Sequence, residues 1–177
     1  GLGLTFQIMQ TSIPKVFDIR IDNLSTFEIG TAIGLIYAFA GFMTLLGGIM
    51  ADKFPLKNIY LIGIAAQIPC FYFIAYFTNF SLIIVSLLLA MFNSSILPTE
   101  NILLAKFTPE KHHGLIYGIK FIVAFGSAPI AVFLISKIYD QTNEFTYLFY
   151  ISSFLMLLVT ISVLFLPVKK DKYNIIS

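Results

Sequence analysis

Charged side chains are scarce in this 177-residue chain: they make up 11% of it, and mean hydropathy is +0.91. Soluble domains carry about a quarter charged residues, so an ordinary globular protein is excluded and a membrane protein is indicated. Net charge is only +2, with no basic stripe and no basic–aromatic interleaving, which excludes nucleic acid as a partner. Cysteine occurs once, as Cys70 in an apolar run, so no disulfide and no cysteine-based metal site forms within the chain. Histidine occurs only as the neighbours His112 and His113 in a polar stretch, where pH sensing is a secondary reading. No HExxH or DxxxD pair falls wholly inside an apolar run, no serine there has a base near it, and nothing reads as a phosphate-binding loop. Enzyme chemistry, a metal site and a cofactor are therefore not expected. The chain opens at Gly1 directly in apolar sequence with no signal-peptide pattern. It is expected to be a piece of a longer polypeptide.

What is present in abundance is apolar sequence. A spanning helix needs about 20 such residues, because backbone groups in lipid must be satisfied within the segment. Six runs qualify, at about 1–21, 28–50, 58–77, 80–106, 114–138 and 145–167, and Pro14 is expected to interrupt the first. Between them lie "ADKFPLKN", "FTNF", "FTPEKHHG" and "YDQTNE". One set of ends holds seven cations (Lys53, Lys57, Lys106, Lys111, Lys169, Lys170, Lys172) and the other three (Lys15, Arg20, Lys137). Cytoplasmic loops are the Lys/Arg-rich ones. The chain is thus expected to be multi-pass in the cell membrane, with both ends and the 168–177 tail cytoplasmic.

The chain also repeats itself. At an offset of 84 residues Pro14 falls on Pro98 (98 − 14), Gly30 on Gly114 and Gly34 on Gly118, each proline following a Ser/Thr-rich stretch. Two three-span units are expected, 1–77 and 78–167. With an odd number of spans in each, the second is inverted relative to the first, an arrangement typical of secondary transporters. Gly30, Gly34 and Ala38, like Gly114 and Gly118, read as small residues that let helices approach closely.

Two charges interrupt the apolar runs. Glu100 lies six residues before Lys106 and Lys120 six after Gly114, so at 1.5 Å per residue both sit roughly 9 Å in from the same surface. Three readings stay open: a structural Glu100–Lys120 pair, a cavity in which Glu100 binds a proton or cation and Lys120 an anion, or snorkelling to the surface. Asn93, Glu100 and Asn101 share one helical face, and Gln7, Gln10, Thr11 and Pro14 share another.

The stretch "GGIMADKFPLKN" resembles the cytoplasmic signature of the major facilitator superfamily, in its weaker C-terminal copy. Gly48, Asp52, Lys53 and Lys57 match, whereas Pro55 stands at the usual glycine and Leu56 at the first trailing basic position. The resemblance implies an all-α integral membrane fold: six transmembrane helices as two inverted three-helix repeats, equivalent to helices VII–XII. It implies alternating-access transport of a small-molecule substrate, coupled to a proton or cation, and an N-terminal six-helix half as partner. Asp52, Lys53 and Lys57 would form a gating charge network. Helices VII and X line the cavity in this family, and they correspond to the two runs carrying the polar faces. The alternatives are a non-transporting membrane scaffold and an intramembrane enzyme. The 19 Phe and 9 Tyr suit an aromatic or amphipathic solute, or simply lipid contact.

Overall fold

The computed structural model describes residues 1–166; Lys169, Lys170, Lys172 and the expected tail lie outside the described residues. Every regular element among the described residues is helical: α1 (Leu2–Arg20), α2 (Thr26–Lys53), α3 (Leu56–Ala65), α4 (Gln67–Ile74), α5 (Asn79–Ser95), α6 (Leu97–Phe107), α7 (His113–Thr142) and α8 (Thr146–Leu164), with a 3₁₀ turn at Glu110–His112. α3 with α4 forms one rod and α5 with α6 another. Five rods, α2, α3/α4, α5/α6, α7 with its preceding turn, and α8, are long and apolar enough to cross a membrane. α1 has 19 residues but carries Gln7, Gln10, Lys15, Asp18 and Arg20, and it falls short in apolarity.

Local chemistry sets the boundaries. Ser25 and Glu28 form a reciprocal capping box at the start of α2, the side chain of each bonding the other's backbone N–H. Asn23, Asn79 and Asn143 take positive φ (61°, 51° and 53°) at the three turns of one end of the bundle, where asparagine tolerates the left-handed region. α5 gives way to α6 at Ile96, two residues before Pro98. α3 gives way to α4 at Ala66, three residues before Pro69, a break not expected from the sequence. Each proline lacks the N–H that the residue four earlier needs. Pro14, by contrast, does not interrupt the helix as expected, for α1 runs through it unbroken. The carbonyl it orphans belongs to Gln10, at an exposed position.

α2 packs along α5, α1 along α7, and α3/α4 along α8, with α4 against α5 and α1 against α8. The main core gathers Phe17, Ile64, Phe71, Leu89, Phe149 and Met156, all 1% exposed or less. A separate small cluster joins Ala51, Leu56 and Ile59 to Ile102 and Leu103. Outward positions are also apolar, such as Phe27, Phe42, Ile122 and Phe165, as lipid-facing surfaces require.

Polar contacts tie each end. At one, the Arg20 guanidinium donates to the Ile74 and Ala75 carbonyls (2.8 and 3.1 Å), to Thr146 Oγ1 (2.9 Å) and to the Glu144 carboxylate. At the other, Lys57 Nζ donates to the Leu164 and Leu166 carbonyls (2.8 and 2.6 Å), capping α8.

Candidate functional site

The α5/α6 break determines what the site contains. It leaves Asn93 in the last turn of α5 and places Glu100 and Asn101 in the first turns of α6. α7 runs antiparallel beside them, so Tyr117 and Lys120 arrive at the same depth. Lys120 Nζ donates to Asn101 Oδ1 at 2.5 Å and lies 3.5 Å from Glu100 Oε1, while the Tyr117 hydroxyl donates to the Asn101 carbonyl at 2.9 Å. The Lys120 and Glu100 side chains are 20% and 27% exposed, so the pair is neither sealed nor free in water. An unpaired charge within a spanning helix costs about 2.5–3.5 kcal/mol on the mild insertion scale, and proximity of the two offsets much of that.

These groups face a cleft of about 680 Å³ between α1, the α5/α6 break and α7, a size suited to a small solute. Gln7, Asn93, Glu100, Asn101 and Lys120 supply its polar lining. Leu2, Phe6, Ile96, Phe121, Phe125 and Val159 supply apolar walls, with the Phe121 and Phe125 rings stacked at 6.1 Å. Asn93 also reaches away from the cleft: its Nδ2 donates to Gln67 Oε1 at 3.2 Å, and Gln67 Nε2 donates to the Gly63 carbonyl at 3.1 Å. Gln67 is fully buried at the α3/α4 break, so this bridge joins the two broken rods where each is bent. Gln67 is not among the residues expected at the site; its signal in the sequence is a lone amide in an apolar run close to Pro69.

Other expected site residues lie elsewhere. Gln10 and Thr11 are exposed on α1 and do not line the cleft. The signature residues do not form a charge network with one another. Asp52 and Lys53 are exposed and make no ion pair among the described residues. Lys57 is drawn to the carbonyls ending α8, which lack helical partners of their own. The glycines expected to pack helices do not pack within this chain: a Cβ added to Gly30, Gly34, Gly114 or Gly118, or to Gly48, would meet nothing within 4 Å. The close approaches are at Gly47, against the Ser95 backbone, Gly63, against the Ile96 side chain, Gly1, against the Val159 side chain, and Gly3, against the Ala124 backbone. His113 Nε2 lies 3.0 Å from the Thr108 carbonyl in the α6–α7 connection, away from the cleft.

Among the described residues no three His, Cys, Asp or Glu side chains converge as metal ligands. What the cleft offers is a cation, a carboxylate, three amides and aromatic walls. The sequence matches the family model described as Major Facilitator Superfamily over residues 2–175. No curated protein matches the chain.

Proposed function

The chain belongs to the Major Facilitator Superfamily, a superfamily of transporters, and from that premise we propose that it is the C-terminal half of a secondary active transporter whose cleft forms one wall of the solute path. The observation that carries this reading is the convergence of Gln7, Asn93, Glu100, Asn101 and Lys120, from three rods, on one cleft. Polar side chains at such depth persist where they face a cavity or one another. Alternating access moves a small solute past this wall, and Glu100, whose ion-pair partner Lys120 sits at the looser 3.5 Å, carries the coupled proton or cation.

Two inverted three-helix repeats, 1–77 and 78–167, build the half. The reading is supported by the packing: exchanging rods one to three with rods four to six turns the α2–α5 contact into α7–α1 and α4–α5 into α8–α1, and returns α3/α4–α8 to itself. The N-terminal half docks against α2 and α7. These have the smallest buried share among the apolar rods, and they carry the open glycines at 30, 34, 114 and 118. Asp52 and Lys53, exposed at the end of α2, then act across that junction. Both chain ends face the cytoplasm, a reading supported by the lysine distribution.

Cysteine labelling tests the path. Asn101→Cys in membrane vesicles should react with a water-soluble thiol reagent, and Gln10→Cys, outside the cleft, should show a separate, substrate-independent rate. An Asn101→Cys site that water never reaches would remove the cleft from the path.

A further inference from the structure

The cleft also carries information about its solute, and the inference rests on the path reading above. Lys120 occupies Asn101 Oδ1 at 2.5 Å, which turns the Asn101 Nδ2 hydrogens away from the ammonium. Gln7 adds a second carboxamide, whose side chain makes no hydrogen bond among the described residues. The ammonium, Asn101 Nδ2 and Gln7 Nε2 thus form a set of donors. The acceptor side is thinner. Glu100 has only the ammonium at 3.5 Å, with no hydrogen bond to its carboxylate from any described residue.

We propose that the cleft takes an amphipathic organic anion, an apolar or aromatic body bearing one carboxylate, together with one proton on Glu100. The anion engages Lys120 and the neighbouring amides, and its body lies on Phe6, Phe121 and Phe125. Glu100 then loses its counter-ion in a mostly apolar cleft. One proton from water neutralises it, so the occupied cleft has the same net charge as the empty one. The opposite exchange, a cation on Glu100, would leave the Lys120 ammonium facing that cation with only Asn101 Oδ1 as its hydrogen-bond partner among the described residues. The ionisable groups facing Glu100 are Lys120 from α7 and Tyr60 from α3, near enough to feel its charge. Tyr117 from α7 is bonded to the neighbouring Asn101 carbonyl. α1 and α5 present the neutral Gln7 and Asn93, and α2 brings its only nearby charges, Asp52 and Lys53, at its last turn.

Calorimetry on the purified protein in nanodiscs, run in buffers of different ionisation enthalpy, counts the protons. Phenylacetate should bind with uptake of about one proton, its affinity falling about tenfold per pH unit over the range in which that uptake is measured. Phenethylammonium and phenylalanine should bind at least tenfold more weakly. Glu100→Gln should keep phenylacetate binding and abolish both proton uptake and the pH slope. Lys120→Met should lose at least tenfold in affinity, and Lys120→Arg should restore part of it. Phenylacetate bound without proton uptake, no phenylacetate binding, or tighter binding of the zwitterion or the cation would each overturn the proposal. The wild-type proton count decides the matter even where a variant fails to fold. A protein whose Asn101→Cys is labelled from water but which binds no phenylacetate loses the anion proposal alone; one that is not labelled loses the path as well.

Discussion

The Arg20 guanidinium makes four hydrogen bonds, and its side chain is only 7% exposed. One planar guanidinium serves two backbone carbonyls that end α4, a threonine that opens α8 and the Glu144 carboxylate. Glu144 is 45% exposed, so water screens its charge, and the hydrogen bonds to groups that would otherwise lie unsatisfied matter more. Arg20→Met should therefore destabilise the bundle by about 2–3 kcal/mol, the cost of leaving such acceptors bare. Arg20→Lys should recover less than half, since an ammonium cannot reproduce the fork. Detergent or denaturant unfolding of the purified protein measures both, and loss below about 0.5 kcal/mol would reduce the knot to an incidental surface contact. Arg20 read from sequence was merely a charge at a helix end. Its partners lie 54 to 126 residues away, and which rod ends meet is a tertiary fact. Glu100 and Lys120 were legible as neighbours because each could be counted inward from the same surface along its own helix. Gln67 was not, because an amide in an apolar run shows a need for a partner without showing where that partner is.

At the scale of elements, proline and glycine had effects that depend on what stands opposite. Pro98 and Pro69 each stand just past a break in their rods, whereas Pro14, with its orphaned carbonyl at an exposed position, broke nothing. Spacing cannot distinguish these cases. The glycines divide similarly. At Gly47 a methyl group would run into the backbone of Ser95, which cannot rotate aside. Gly47→Ala should cost about 1–3 kcal/mol by forcing α2 away from α5. Gly63→Ala should cost less, because its obstacle is the Ile96 side chain. Gly30→Ala, Gly34→Ala, Gly114→Ala and Gly118→Ala should be neutral or stabilise this bundle by up to about 1 kcal/mol each, as helix propensity predicts. If those open faces receive the N-terminal half, the same substitutions should weaken association of the halves, measured by co-purification of the two halves expressed separately. Unchanged association with all four alanines would move the junction off the α2 and α7 glycine faces.

At the scale of the whole molecule, hydropathy made the alternation of the rods legible, though α1 is less apolar than the other five, and the contacts agree on which ends lie together. Arg20, Ile74, Ala75, Glu144 and Thr146 meet at one end, Lys57 and Leu164 at the other. Which end faces the cytoplasm is a question of charge rather than of packing. Lys53, Lys57, Lys106 and Lys111 share the Lys57 end, and Lys15, Arg20 and Lys137 lie in the halves of α1 and α7 nearer the Arg20 end. The excess of lysine and arginine found in cytoplasmic loops generally predicts that the Lys57 end lies inside. Asn58→Cys and Lys111→Cys, both at exposed positions, should thus react with an impermeant thiol reagent only after right-side-out vesicles are opened. Asp22→Cys and Gln141→Cys, also exposed, should react in sealed vesicles. The pattern separates two failures. If positions 58 and 111 react in sealed vesicles while 22 and 141 are protected, the bundle stands and only its orientation is reversed. If 58 and 111 fall on opposite faces, α3/α4 and α5/α6 do not both cross as single broken rods. The bends held together by Gln67 and Asn93 would then have to be found at some other depth.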